Sequence, residues 1–548
     1  MKCQILLAGI FIGCSDIFIT LPSWANELAP INSKLPQVNA EVQIQELHVE
    51  SLESQQEIIV KEFEITGNTV IETKELLALI EDFKGKVISY NELSEAVTKV
   101  TRYYSDKGYF LSFAFLPPQE LEMGTIKIEV VEGYIADIEV KISSGALTPK
   151  YISERLEKII GKPITLTELE SALIVLKNQD LIQNFSQQID KDRNTGLAIL
   201  KLEVETADKF SLFARTDNWQ SPFIGVNNRI ASAELISLIK TGDRSIIGYR
   251  NSDGSNVLTA GYELPVNTSG GKIRILAGNN GSEIVTAPFN QPDPTTNFRF
   301  ARGEFSQPVI ESPENTLILT GAFNWQSSEN FLLGEPFPFS RGADENGRST
   351  VSSLIFSQEY IRRSNIDRII FNSQLTLGVG LFDANTGSRF DSQFLIWRGD
   401  VNYLRLVSED LRLLLRGGLQ LSNDELPGLE QFTAGGPNTV RGYRAFLLSG
   451  DNGVLGSAEL QITLLKPKED HTFQLIPFVD FAKPWNNSND ILEDNNLFSL
   501  GLELTYLIER NFEIRVGYGV PLTKIQSNNI SGSLQEQGFF LSVTKRLF

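Results

Sequence analysis

The sequence predicts a membrane-spanning antiparallel β-barrel of about sixteen strands, preceded by two small α+β domains. Three observations predict it. From Lys209 to the C-terminus apolar residues occupy alternate positions, as in Ala458, Leu460, Ile462 and Leu464 with Glu459, Gln461 and Thr463 between them. The connections between these segments alternate between short and long. Upstream of them, helical periodicity flanked by short strands occurs twice in the same order.

The N-terminus reads as an export signal over residues 1–25: Lys2 is followed by the apolar stretch Ile5 to Ile12 and the small-x-small site Ser23-Trp24-Ala25. An imperfect lipobox, Phe11-Ile12-Gly13 before Cys14, offers an alternative processing site. After removal of residues 1–25 the chain contains neither Cys3 nor Cys14, and beyond them no run of about 18 apolar residues forms a spanning helix. Residues 26–57 are polar, with Pro30 and Pro36, and read as a linker or a short helix.

The first small domain covers residues 58–133. Phe63-Glu64-Ile65 before Gly67-Asn68 reads as a strand and turn, and Thr73 to Phe83 as a helix. Asn91 opens a second helix whose Leu93, Val97, Val100 and Tyr104 share one apolar face. Strands follow at Tyr109 to Leu116 and Thr125 to Val131. The order recurs over residues 134–206: strand Ile135–Ile142, helices Thr148–Ile160 and Thr167–Lys177, strands Phe185–Ile189 and Leu197–Val204. Sheets this small leave edges that accept an extended peptide, and the segment bearing Tyr109, Leu111, Phe113 and Phe115 is the candidate edge. An edge that is simply capped is the competing reading.

The barrel occupies residues 207–548. Its strands are read at 209–218, 226–238, 244–251, 257–265, 272–279, 297–306, 317–326, 349–362, 369–381, 392–407, 411–422, 456–464, 472–481, 497–508, 512–520 and 539–548. Connections after even strands are short, such as Ser408 to Asp410, whereas Ser327 to Arg348 and Asn423 to Leu455 follow odd ones. Short turns at one rim and long loops at the other mark an outer-membrane barrel, and a soluble sandwich has no reason to sort its loops so. The terminal strand leaves two phases open. Thr544 and Arg546 fall in line with Phe548, while Phe539, Leu541, Val543 and Leu547 form the greasier set.

Composition excludes other classes. Acidic residues outnumber basic ones 68 to 49, a net charge of −19, which opposes nucleic-acid binding through phosphate neutralisation. The only histidines, His48 and His471, stand isolated in polar surroundings, so no catalytic triad and no His/Cys zinc site is expected. No enzyme activity, metal or cofactor is expected. Asp344-Glu345-Asn346-Gly347 and Asn251-Ser252-Asp253-Gly254 lack calcium-loop spacing and read as turns. Trp219, Trp325, Trp397 and Trp485 fall near rim positions, where interface anchoring and packing are both open to them.

Within the long connection after the eleventh strand stands Gly435-Gly436-Pro437-Asn438-Thr439-Val440-Arg441-Gly442-Tyr443-Arg444. Glycines beside an arginine permit a sharp turn that presents a planar, permanently charged group. Asp480, in phase with Gln474 and Thr472, faces the lumen, and a charge in a barrel wall must point inward to a partner. Arg441 and Asp480 are the natural pair, although Arg-Gly-Tyr alone reads as a solvated turn.

Val440-Arg441-Gly442-Tyr443, followed by the Phe-x-Asp element at Asp480, resembles the paired signature of the Omp85 superfamily of outer-membrane protein-handling barrels. Phe63-x-Ile65-x-Gly67-Asn68-Thr69, Gly108-Tyr109, Leu116-Pro117-Pro118-Gln119 and Val131-Glu132-Gly133 resemble the polypeptide-transport-associated (POTRA) domain of its two-partner secretion branch, the hemolysin-activator or TpsB transporters of ShlB-FhaC-HecB type. The resemblance implies two periplasmic POTRA domains, a sixteen-stranded barrel in a Gram-negative-type outer membrane, and a loop folded into the lumen with Val440, Arg441, Gly442, Tyr443 and Asp480 as its lock. It implies a secreted TpsA-like exoprotein as partner, captured by its N-terminal secretion domain and conducted outward unfolded, with outer-membrane lipid around the barrel and the barrel assembly machinery inserting it. Family members commonly carry an N-terminal plug helix and a linker; residues 26–57 are short for both. An Omp85-type assembly factor and, from another class, a passive solute porin are the rival readings.

Overall fold

The computed structural model describes residues 58–119, 124–192, 195–387, 389–468, 470–488, 496–508, 511–525 and 532–547. The export signal, residues 26–57 and Phe548 lie outside them. The chain forms two compact units, one ending at Ala207 and one running from Asp208.

Beside a short antiparallel pairing of Ile58–Ile59 with Val87–Ile88, the first half of the first unit holds β1 (Glu62–Thr66), α1 (Thr73–Ile80), α2 (Tyr90–Asp106), β2 (Phe113–Phe115) and β3 (Thr125–Val131). β3 lies centrally, parallel to β1 and antiparallel to β2. Helix α2 starts one residue before Asn91, because Ser89 and Glu92 form a capping box around its first amides. Leu93, Val97, Val100 and Tyr104 are all buried, packed on Phe63 and Ile65 of β1 and Ile126, Ile128 and Val130 of β3. The order recurs in β4 (Tyr134–Ser144), α3 (Pro149–Leu156), α4 (Leu166–Lys177), β5 (Ile182–Lys191) and β6 (Leu197–Thr206). β6 is central there, again parallel to the first strand and antiparallel to its other neighbour.

Two motifs, Leu116-Pro117-Pro118-Gln119 and Val131-Glu132-Gly133, explain the first sheet. Pro117 and Pro118 have no amide hydrogens, so strand β2 stops short of the full length of β3. The Gln119 side chain continues the ladder, accepting from Lys127 N and donating to Lys127 O, both at 2.7 Å. The Glu132 carboxylate ties the Gly67-Asn68-Thr69 turn to α2: it accepts from Thr69 N (2.7 Å), Val70 N (2.9 Å) and the Tyr104 hydroxyl (2.8 Å), and also from the Thr69 hydroxyl. A side chain on Gly67, at φ +85°, would collide with Val130 O, so the turn closes only with glycine.

Burial opposes ionisation of Glu132, but the hydrogen bonds from Thr69, Val70 and Tyr104 outweigh it and hold the carboxyl below its ordinary value. A depressed carboxyl contributes stability above its unfolded pKa, and that contribution disappears as pH falls through the folded value. Glu132→Gln is therefore expected to lower the stability of a fragment spanning residues 58–206 by about 1–2 kcal/mol at neutral pH. It is also expected to flatten the acid limb of its stability profile. Denaturant titrations across pH check both, and an acid limb as steep as in the unaltered fragment would remove Glu132 from the account.

The second unit is a closed barrel of sixteen wall strands among the described residues. They are β7 (Phe210–Asp217), β8 (Asn228–Ile236), β9 (Arg244–Ser252), β10 (Ser255–Pro265), β11 (Lys272–Glu283), β12 (Thr295–Glu311), β13 (Asn315–Leu332), β14 (Arg348–Arg363), β15 (Asp367–Val379), β16 (Leu395–Ser408), β17 (Leu411–Ser422), β18 (Asn452–Lys468), β19 (His471–Trp485), β20 (Leu497–Ile508), β21 (Phe512–Pro521) and β22 (Phe539–Leu547). All neighbours are antiparallel, and β22 closes on β7 from Ser542↔Asp217 to Leu547↔Leu212. The alternation is that of a wall between lipid and water. On β20 Leu502 and Leu504 are each 54% exposed while Glu503 between them is 5% exposed, the reverse of a soluble sheet. Pairing of Leu541 with Val516 and of Val543 with Ile514 settles the terminal strand: its greasy phase faces outward, and Thr544 and Arg546 take the other face. The loop parity holds except after β9, where Asp253-Gly254 alone turns the chain into β10.

Candidate functional site

The long connection between β17 and β18 doubles back on itself. Phe432–Ala434 pairs with Leu448–Gly450, Gly436 bridges to Val440, and the Thr439 hydroxyl accepts from Gly435 N at 2.9 Å. This hairpin brings its tip against the inner wall. Val440 is fully buried beside Ala434, Tyr443, Ala482 and Leu497. Gly442, at φ +92°, lies so close to β21 that an added side chain would stand 2.7 Å from the Gly519 carbonyl. Glycine is required there twice, for the conformation and for the approach.

Arg441 meets Asp480 through a planar fork: Nε donates to Oδ2 and Nη2 to Oδ1, each at 2.7 Å, and the Arg441 amide adds a third bond to Oδ2 at 3.1 Å. Such bidentate geometry belongs to the stronger class of charge-assisted hydrogen bonds. The Ser457 hydroxyl donates to Asp480 Oδ1 (2.7 Å) and accepts from Arg441 Nη2 (3.3 Å). The guanidinium carbon sits 3.6 Å over the Phe478 ring. Neither charge is open to water: the side chains are 4% and 0% exposed. The sequence pairs these two residues, and the structure places them in contact.

Further carboxylates complete the cluster. Arg441 Nη1 lies 2.9 Å from Glu459 and 3.8 Å from Glu503, and each of those faces a second arginine: Arg416 is 2.6 Å from Glu459, Arg515 3.9 Å from Glu503. Arg416 on β17 and Arg515 on β21 flank the three carboxylates of β18 to β20, and Arg441 from the loop sits among them, so each of these buried charges has an opposite neighbour. Sequence reading missed Glu459 and Glu503 as partners of Arg441, although their place in the inward phase was a signal. Tyr443, two residues on, accepts from Thr523 N (3.1 Å), and its hydroxyl lies 3.0 Å from Phe498 O and 2.9 Å from Thr523 O. The cluster thus holds a loop by its tip.

The candidate peptide edge is narrower than the sequence suggests. Tyr109, Leu111, Phe113 and Phe115 do not share one strand. Gly108, at φ +91°, ends α2, Tyr109 N bonds back to Tyr104 O, and residues 109–112 turn before β2 begins at Phe113. Leu111 is buried at 1% exposure, so it offers no side chain to a partner. Ala114 N, on the outer side of β2, donates to the Thr101 hydroxyl at 2.9 Å. Tyr109, Phe113 and Phe115 remain half-buried, so a partner here meets their rings rather than an open ladder. The two polar segments read as turns hold turn contacts: Asp344 Oδ1 accepts from Asn346 N and Arg348 N, and Asp253 pairs with Arg229.

Comparison with known proteins agrees with this fold. The family model of the ShlB-type POTRA domain matches residues 58–133, and that of the haemolysin secretion/activation protein ShlB/FhaC/HecB matches residues 196–506. Similar curated proteins include the heme/hemopexin transporter protein HuxB of Haemophilus influenzae, 22% identical over 87% of this chain and 85% of that one. Another is the outer membrane transporter CdiB of Dickeya dadantii, 21% identical over 73% and 71% of the two chains. Among solved structures, CdiB from Escherichia coli superposes with a TM-score of 0.68 at 18% identity, covering 100% of this chain and 97% of that one.

Proposed function

The chain belongs to the ShlB/FhaC/HecB family of haemolysin secretion/activation proteins, outer-membrane transporters of two-partner secretion with POTRA domains in the periplasm, and from that premise we propose how its parts divide the work. Once a signal at residues 1–25 is removed, a polar linker or short helix at 26–57 precedes POTRA domains at 58–133 and 134–206, which receive the N-terminal secretion domain of one exoprotein. The barrel at 207–548 then conducts that protein outward unfolded. The outer membrane holds no nucleotide supply, and folding of the cargo outside gives the process its direction.

The loop lock of Val440, Arg441, Gly442, Tyr443 and Asp480 keeps the inward hairpin seated on one side of the bore. The observation that carries this reading is the buried Arg441–Asp480 fork inside a closed barrel. A passive solute pore would not need the two small α+β domains that precede the barrel. Capture at the first domain uses the half-buried rings of Phe113 and Phe115 together with Tyr109, with Leu111 supporting them from the core.

Depletion of this protein in its own cells tests the assignment. One large exported protein is expected to vanish from the surface and medium and to accumulate in the periplasm, with the other outer-membrane barrels at normal levels. A general fall in those barrels would identify an assembly factor, and a change in solute uptake alone would identify a porin.

A further inference from the structure

The barrel is closed by a ladder that ends at Asp217, and side chains carry the seam beyond it. Asn218 takes the place of a strand residue: its Nδ2 donates to Phe539 O (3.0 Å), its Oδ1 accepts from Leu541 N (2.8 Å), and its own amide reaches Leu541 O (3.3 Å). Next to it Gln535, 2% exposed, uses both ends of its amide. Nε2 donates to Asn218 O (2.6 Å) and Gln220 O (3.2 Å), at the exit of the first wall strand. Oε1 accepts from Ala445 N (2.7 Å), in the inward loop four residues after Arg441. Two carbonyls on one side and an amide on the other leave no freedom in which way the side chain points.

The backbone repeats the connection. Gly442 of the loop, Gly519 of β21 and Gly538 at the start of β22 lie in direct succession: a side chain on Gly519 would stand 2.6 Å from Gly442 N, and one on Gly538 would stand 2.3 Å from Gly519 O. Loop, penultimate strand and seam therefore pack through bare backbone, and Arg444 extends toward Glu536 at 3.7 Å beside them.

We propose that Gln535 is a positioning residue that couples the seated loop to the closing seam, so that undocking of the loop loosens the pairing of the first strand with the last. When the loop leaves, Oε1 loses its buried donor and the side chain no longer has a fixed orientation from which to hold Asn218 and Gln220. The partner of the seam is thus a segment of this same chain. The inference rests on Arg441 as the loop's anchor.

Amide hydrogen exchange on the full chain in lipid vesicles tests it, read at the loop (435–447), at the seam (210–221 and 538–547) and at a remote wall segment (367–379). Gln535→Glu keeps the acceptor for Ala445 N and sets a carboxylate oxygen against two carbonyls. It is expected to speed seam exchange by about tenfold with the remote wall unchanged. Gln535→Met, similar in shape without polar atoms, serves should the glutamate variant not insert. Arg441→Ala is expected to speed exchange in loop and seam alike, and the double variant to fall short of the product of the two single effects. Seam exchange at the normal rate in Gln535→Glu, or a released loop with a normal seam in Arg441→Ala, overturns the coupling. An unchanged loop in Arg441→Ala overturns the anchor itself, and the coupling with it.

Discussion

Replacing Arg441 with alanine is expected to cut exoprotein release by about tenfold or more while the barrel remains folded in the membrane. The two outcomes separate because different forces hold the two structures. The wall is sustained by sixteen strands whose backbone groups bond to their neighbours and by leucines that face lipid. The loop is held by one guanidinium with three carboxylates around it, those of Asp480, Glu459 and Glu503. Removing one member of a buried pair costs about 3–5 kcal/mol in a dry interior, and less beside a wet bore. Glu459 and Glu503 keep Arg416 and Arg515 as neighbours, so Asp480 loses most. Arg441→Lys keeps the charge but gives up the fork and the stacking on Phe478, so its release is expected to lie between those of alanine and arginine. Secretion assays beside heat-modifiability on gels measure both properties. Full release by the alanine variant would remove Arg441 from transport and leave the fold untouched.

The wall strands are legible in the sequence because a residue between lipid and water has only two faces to choose from, and period-two alternation records that choice. The Arg441–Asp480 pair is legible for a related reason: a carboxylate in a barrel wall demands a cation within reach, and a glycine-flanked arginine is the obvious donor. Glu459 and Glu503 are a different matter. Their inward phase shows in the alternation, but their height depends on hairpin offsets, including irregular pairing of β18 with β19 after Thr463, which alternation does not encode. Gln535 is less visible still, because an amide in a loop carries no periodicity and its partners lie more than three hundred residues earlier at the seam and ninety residues earlier in the inward loop.

The candidate peptide edge is shorter than its alternation suggests for a local reason. Tyr109, Leu111, Phe113 and Phe115 alternate as a strand does, yet the chain leaving Gly108 must first satisfy the end of α2, and that turn consumes residues 109–112 before pairing starts. Leu116-Pro117-Pro118-Gln119 and Val131-Glu132-Gly133, by contrast, are motifs whose reason appears only in three dimensions: a glutamine amide in place of a strand that proline cannot continue, and a carboxylate pinning a turn to a helix.

Translocation across a membrane that contains this protein alone is the largest effect expected of it. Purified protein is inserted into vesicles so that the periplasmic side faces outward, and an unfolded exoprotein bearing its N-terminal secretion domain is added without nucleotide. The exoprotein has to enter the vesicle, because the only driving force required is its own folding on the far side; the same polypeptide lacking its secretion domain has to stay outside, because nothing presents it to the bore. Protease added externally reads the difference. The account is supported by protected exoprotein that depends on the secretion domain, and contradicted by vesicles that conduct small solutes through inserted barrels yet leave every exoprotein chain open to digestion.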